Sequence, residues 1–141
     1  MKKGIAAADS IFKFIEKEAE VYKGKIAVER VQGDLEFQNV SFRYESSDRP
    51  VLENVSFKVS AGSVTALVGH SGSGKTTLAA LLPRFYAYSE GHILLDGREL
   101  SDYTLENLRS HIALVSQDVV LFNDTVAGNI AYGALAGTSR E

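Results

Sequence analysis

Residues Gly69 to Thr76 read Gly-His-Ser-Gly-Ser-Gly-Lys-Thr, and no other stretch constrains the fold of this chain as tightly. The octapeptide fits the phosphate-loop pattern G-x-x-x-x-G-K-[ST] in full, which a chain of average composition and this length would meet by accident roughly once in 200 times. Its flanks fit as well. Ser63-Val64-Thr65-Ala66-Leu67-Val68 is β-branched and apolar and predicts a buried strand, while Thr77-Leu78-Ala79-Ala80-Leu81-Leu82 predicts a helix. Strand, glycine loop and helix in that order imply an α/β core with a parallel element.

The residue types suit the chemistry of a bound triphosphate. Main-chain N–H groups must wrap round phosphate oxygens, so the backbone has to turn tightly and approach closely, which Gly69, Gly72 and Gly74 allow. His70, Ser71 and Ser73 fill the variable positions between them, and the helix that follows contributes unpaired N–H groups and the positive end of its dipole. Lys75 is placed to reach the β- and γ-phosphates, the Thr76 hydroxyl to ligate Mg²⁺, and Thr77 to close the nucleotide-contacting set. The bland alternative is a Gly/Ser-rich turn with no ligand.

Length and composition narrow the remaining classes. A chain of 141 residues is one domain with room for a real core. Fifteen basic and eighteen acidic residues give a net charge of −3, which is no footprint for a nucleic-acid partner. Without cysteine there is neither a disulfide framework nor a thiolate metal site. Met1-Lys2-Lys3 and the apolar run after it imitate a secretion signal, but Asp9 and Lys13 interrupt it too early. No window approaches the roughly 20 apolar residues of a membrane span, so a cytoplasmic chain is expected.

Periodicity supplies the rest of the outline. Ile5, Ala8, Ile11, Phe12, Ile15 and Ala19 share one face of an amphipathic helix. Leu35 to Phe42 alternates, but Leu35 and Phe37 fall on one face and Val40 and Phe42 on the other, with a slip at Asn39 that suits a bulge. Val51 to Val59 forms a second strand with Val55, Phe57 and Val59 in phase, and the short loop between the two predicts an antiparallel pair. Pro83 is expected to end or kink the helix after the glycine loop near Leu82. Gly91 to Gly97 is a strand closed by an Asp-Gly turn, Leu105, Leu108 and Ile112 share a helical face capped by Asp102 or Thr104, and Ala113 to Ser116 is a short buried strand.

Several of these motifs converge. Gly33 to Tyr44, the loop Gly69 to Thr77, Arg84-Phe85-Tyr86, Ile93 to Gly97, and the block from Leu105 through Gln117 to Val126 together resemble the nucleotide-binding domain of ATP-binding cassette (ABC) exporters, most closely those of the lipid A flippase type. Gly4 to Phe12 resembles the connector after the last membrane helix of such exporters, so the resemblance covers nearly the whole chain. It implies a P-loop NTPase partial core with an antiparallel β subdomain and an N-terminal connector helix. The implied divisions are a connector over 1–32, the first part of the ATP-binding domain over 33–122, and the start of a helical subdomain over 123–141. It implies ATP and Mg²⁺ as ligands, Tyr44 as the aromatic that stacks on adenine, and Gln117 as the glutamine that joins Mg²⁺ and the attacking water to the membrane-domain surface. With Lys75, Gln117 forms the implied catalytic pair, and with Thr76 the implied metal ligands. The implied partners are an exporter's transmembrane domain and a second nucleotide-binding domain, at the cytoplasmic face of the inner membrane.

Departures from the family pattern are as informative. The Leu-Ser-Gly-Gly-Gln signature, the Walker B Asp with its catalytic Glu, and the switch histidine are not in the sequence. Ile93-Leu94-Leu95-Asp96 superficially offers a Walker B strand, yet Gly97 follows where Glu would stand and the pair reads as a hairpin turn. Thr138 to Glu141 has the spacing of a capping box and suggests a chain cut inside a larger domain. ATP binding without turnover is therefore expected, as is an uncovered, association-prone strand at Val64 to Val68. The competing readings are a non-catalytic nucleotide-binding or interaction remnant and a small GTPase or nucleotide kinase. The last lacks its Asp-x-x-Gly and Asn-Lys-x-Asp signals. His70 at a variable loop position, His92 at a strand start and His111 near a helix C-terminus need no catalytic role.

Overall fold

The computed structural model describes residue 12, residues 24–116, residues 120–135 and residue 137. Phe12 is helical and exposed. The remainder of the expected connector helix, Gln117 and the capping box at Thr138 to Glu141 lie outside the described residues.

A four-stranded antiparallel sheet organises the fold, with β1 (Leu35–Phe42), β2 (Leu52–Val59), β3 (Glu90–Leu95) and β4 (Arg98–Glu99) in the order β2-β1-β3-β4. The expected slip in β1 is a true bulge. Asn39 adopts φ 51°, and the pairing steps from Phe37↔Phe57 to Val40↔Val55, three residues on β1 against two on β2. The extra residue turns the strand over, so Phe37, Val40 and Phe42 all join one buried core instead of dividing between two faces. Beyond it β2 compensates, with Asn54 at φ 52° and the pairing stepping to Phe42↔Leu52. Each asparagine amide donates to a serine hydroxyl on the facing strand, Asn39 N to Ser56 Oγ at 2.8 Å and Asn54 N to Ser41 Oγ at 3.1 Å. On the β3 side, Gly91 at φ 88° faces the bulge so closely that a Cβ there would overlap the Asn39 carbonyl.

The helices follow their sequence signals. Helix α1 (Lys75–Leu81) buries Leu78 and Leu81 in the core beneath the sheet. It ends in a Schellman turn, with Phe85 N donating to Ala80 O (3.2 Å) and Arg84 N to Leu81 O (3.0 Å) while Arg84 takes φ 55°. After the 3₁₀ turn Leu100–Asp102, α2 (Leu105–Ser110) starts at Thr104, whose side chain accepts from Asn107 N at 3.3 Å, which settles the N-cap in favour of Thr104 over Asp102. The Asn107 amide then grips Val28 from both sides, accepting from its N–H (3.0 Å) and donating to its carbonyl (2.9 Å), which fastens the incoming chain to α2. A short α3 (Val126–Ile130) is capped by Thr125 and followed by a 3₁₀ turn at Gly133–Leu135.

The two strands expected at Ser63–Val68 and Ala113–Ser116 do not form, and both segments run over the surface without a ladder. Val64 is 101% exposed, Val68 93% and Val115 94%, against 0% for Val40 in the same chain. The reason is physical: an apolar strand is buried only when neighbours cover both its edges and its faces, and among the described residues no strand pairs with either segment. The expectation of an uncovered Val64 to Val68 is thereby met. Uncovered β-prone segments drive association. Sedimentation velocity on the purified chain is expected to show concentration-dependent association, reduced in the Val64→Lys, Val115→Lys double variant. A monomer that melts sharply and reversibly at all concentrations would contradict this.

Candidate phosphate-binding site

The loop between the uncovered segment and α1 is shaped from its own glycines. Gly72 and Gly74 sit at φ 80° and 85°. Gly74, which caps α1, is buried against the start of β2, where a Cβ would come 2.8 Å from Leu52 Cδ2 and 3.1 Å from the Val51 carbonyl. Only glycine meets both demands at position 74. Lys75 folds back across the loop, and its ammonium donates to Gly69 O (2.9 Å), His70 O (2.7 Å) and Ser73 Oγ (3.2 Å). Three oxygens therefore hold the ammonium against the loop.

Around that cation lie unsatisfied donors. Among the described residues, the N–H groups of Gly72, Gly74, Lys75 and Thr76 have no protein acceptor, and Gly74 supplies no side chain to cap them. A cluster of orphan amides round an ammonium is an anion cradle. The helix behind it has seven residues, so the cradle rests on the loop's own amides and Lys75 more than on a long helix dipole. Thr76 is exposed beside the loop, whereas Thr77 is buried at 7% exposure.

Tertiary structure brings Tyr44 to this cradle from 33 residues away, its hydroxyl 2.9 Å from Thr77 Oγ1. That hydroxyl therefore has a protein partner. The half-buried Tyr44 ring meets Phe42 edge-on at 4.8 Å and Tyr86 at 5.1 Å with an interplanar angle of 89°. Phe42, Tyr44, Phe85 and Tyr86 line an open cleft at this end of the sheet. So the structure unites Tyr44 with the phosphate loop, while Gln117 lies outside the described residues.

Asp96 has a structural task. Asp96 and Gly97 both take positive φ, 52° and 77°, in the two-residue turn between β3 and β4. The carboxylate accepts from three successive amides, Gln32 N (2.7 Å), Gly33 N (2.9 Å) and Asp34 N (2.9 Å), and so ties the start of β1 to the hairpin. With its oxygens committed to backbone, Asp96 is a hairpin residue and not a Walker B ligand. The histidines are likewise structural in their contacts. His92 Nδ1 pairs with Glu99 Oε2 at 3.0 Å, His111 ends α2 with Nδ1 2.8 Å from Asn107 O, and His70 Nδ1 lies 2.8 Å from Ser71 O. Among the described residues there is no group of three His, Cys, Asp or Glu able to hold a metal, so a cation at this loop would rely on hydroxyl and phosphate oxygens.

Sequence reasoning left two contributors unassigned. Tyr86 reaches Tyr44 because the Schellman turn aims it there. Arg109 holds that turn, donating from Nε to Pro83 O (2.9 Å) and from Nη2 to Arg84 O (3.3 Å) with its guanidinium 5.4 Å from the Phe85 ring centre. A helix that ends against an Arg one element downstream has no local signature, which is why spacing did not disclose it.

The ABC transporter family model matches residues 52–140. The chain belongs to the ABC transporter family. Its sequence is 58% identical over 99% of its length to the ATP-dependent lipid A-core flippase of Aromatoleum aromaticum and 56% identical over its full length to that of Pseudomonas aeruginosa. The flippase of Salmonella typhimurium is 51% identical over 99% of the chain. The chain spans only 23–24% of the length of these curated relatives. Among solved structures, a bacterial Atm1-family ABC exporter with ATP bound superposes with a TM-score of 0.77 at 42% identity, covering 94% of this chain and 24% of that one. The fold is thus part of an ABC cassette, built here on an antiparallel sheet with few helices.

The β3–β4 hairpin of this ABC cassette carries a pH signature. Tyr88 donates a short hydrogen bond to Glu99, and burial, followed by that bond, pushes its phenol well above the ordinary tyrosine value. A folded-state pKa raised above the unfolded one supplies stability that is full below about pH 10 and fades as pH rises beyond it. Urea unfolding as a function of pH is therefore expected to show an alkaline loss of stability that Tyr88→Phe lessens. An unchanged alkaline slope in that variant would refute the linkage.

Proposed function

We propose that this chain binds Mg-ATP as the first half of the nucleotide-binding domain of an ABC exporter that couples ATP hydrolysis to export of a lipid. The observation that carries the reading is the cradle of orphan amides closed by the Lys75 ammonium, with Tyr44 joined to it through Thr77. On binding, Lys75 exchanges loop oxygens for the β- and γ-phosphates, and the amides of Gly72, Gly74, Lys75 and Thr76 donate to the phosphate oxygens. The Tyr44 ring supplies a stacking face for adenine. Mg²⁺, when bound, neutralises the phosphates, and the Thr76 hydroxyl and Gln117 are the residues to hold it.

In this reading the complete site needs more than the chain provides. Two cassettes of the family enclose ATP head to tail, each phosphate loop facing the partner's signature motif, and a transmembrane domain selects the cargo. The lipid cargo rests on the flippase relatives, at 51–58% identity. None of the described helices is long and apolar enough to cross a membrane, which suits a domain at the cytoplasmic face.

Calorimetry of Mg-ATP binding tests the proposal. Lys75→Ala is expected to abolish measurable binding, and Tyr44→Ala to weaken it by about 5- to 150-fold, the equivalent of one base–aromatic stack of about 1–3 kcal/mol. In the same samples phosphate release should be negligible, since the sequence holds no Walker B acid pair. Binding insensitive to both substitutions, or brisk Mg-dependent phosphate release, would overturn the assignment.

A further inference from the structure

The geometry points to Tyr86 as a positioning residue for the nucleotide base, acting through the Tyr44 ring; this rests on the ATP-binding reading above. Among the described residues, three specific contacts orient the Tyr44 side chain: the Phe42 edge, the Thr77 hydroxyl and the Tyr86 ring. Phe42 and Thr77 lie on β1 and α1, elements whose places are set by the core. Tyr86 is different. It belongs to the turn after α1, is 45% exposed, and stands perpendicular to Tyr44 at 5.1 Å and tilted 50° to Phe42 at 5.7 Å.

A ring half open to solvent holds a neighbour in place only if its own backbone is fixed. Here that is so. The Schellman bonds Phe85 N to Ala80 O and Arg84 N to Leu81 O lock the turn to α1, and Arg109 occupies the carbonyls of Pro83 and Arg84 from α2. The helix that carries Lys75 and Thr77 at its N-terminal end thus presents Tyr86 from its C-terminal end, and both ends converge on Tyr44. A perpendicular aromatic neighbour restricts ring rotation, which lowers the entropy lost when a base stacks on Tyr44. No hydrogen bond of the Tyr86 hydroxyl enters this geometry, so the ring alone carries the effect.

The test compares Mg-ATP with inorganic tripolyphosphate, which has the phosphates and no base, on the unaltered chain, Tyr86→Ala, Tyr86→Phe, Tyr44→Ala and the Tyr44→Ala, Tyr86→Ala pair. Tyr86→Ala is expected to weaken Mg-ATP by about 2- to 12-fold, the range of one aromatic pair, and to leave tripolyphosphate unchanged. Tyr86→Phe should restore Mg-ATP affinity, and Tyr86→Ala should add nothing once Tyr44 is gone. Without nucleotide, the ¹³C-labelled Tyr44 ring resonances should shift in Tyr86→Ala and not in Tyr86→Phe. Equal loss for both ligands, additive losses in the double variant, or tighter ATP binding by Tyr86→Ala would each overturn the inference, the last by showing that Tyr86 blocks the stacking face. Failure of the unaltered chain to bind either ligand would instead bring down the ATP-binding reading and this inference together.

Discussion

The extra residue at Asn39 is the constraint on which the rest of the structure depends. One bulge changes which side of β1 faces the core, so Phe37 before it and Val40 and Phe42 after it are all buried. β1 is the strand with two full neighbours, pairing β2 on one side and β3 on the other, and both pairings shift at the same point. The bulge is accommodated from three directions: Ser56 satisfies the Asn39 amide, Asn54 compensates in β2, and Gly91 leaves room for the Asn39 carbonyl. Two residues beyond Phe42, the strand delivers Tyr44 to Thr77. A flat, unbulged β1 would send alternate residues to the sheet's other face and take Tyr44 away from the loop.

The molecule is closely packed about its sheet and open along two apolar segments. Where the sheet, α1 and α2 meet, Leu81, Ile93, Leu100, Tyr103 and Leu108 are nearly solvent-free, and the Tyr103 hydroxyl still finds the Leu95 carbonyl at 2.9 Å. Away from that core, Val64, Val68 and Val115 stand in water. The phosphate loop sits on the border. Its downstream half is anchored by α1 and by the packing of Gly74 on Leu52, while its upstream half leads into the uncovered segment. That asymmetry places the burden of shaping the site on Lys75, which bridges the two halves through Gly69, His70 and Ser73.

Much of the site was legible from order along the chain. The glycine loop, the Asp-Gly hairpin, a cap at Asp102 or Thr104 and the end of α1 near Pro83 are local devices, each decided within about five residues by backbone sterics or a side-chain hydrogen bond. The slip at Asn39 was visible as a break in alternation, although its consequence, one face instead of two, was not. Arg109 and Tyr86, though part of the family motifs, had no role assigned because their partners are backbone carbonyls and a ring contributed by other elements.

By itself the sequence determined the family, the phosphate loop and the local turns, because these rest on residue identity at fixed short spacing. Only the tertiary structure decided that Tyr44 meets Thr77, that Asp96 ties down β1 instead of ligating a metal, and that the apolar run Ser63 to Val68 stays uncovered. Those outcomes depend on partners that lie about 30 to 60 residues away or that are missing among the described residues. Hydrophobic pattern reports what a segment would bury; whether it is buried is decided by the neighbours that surround it.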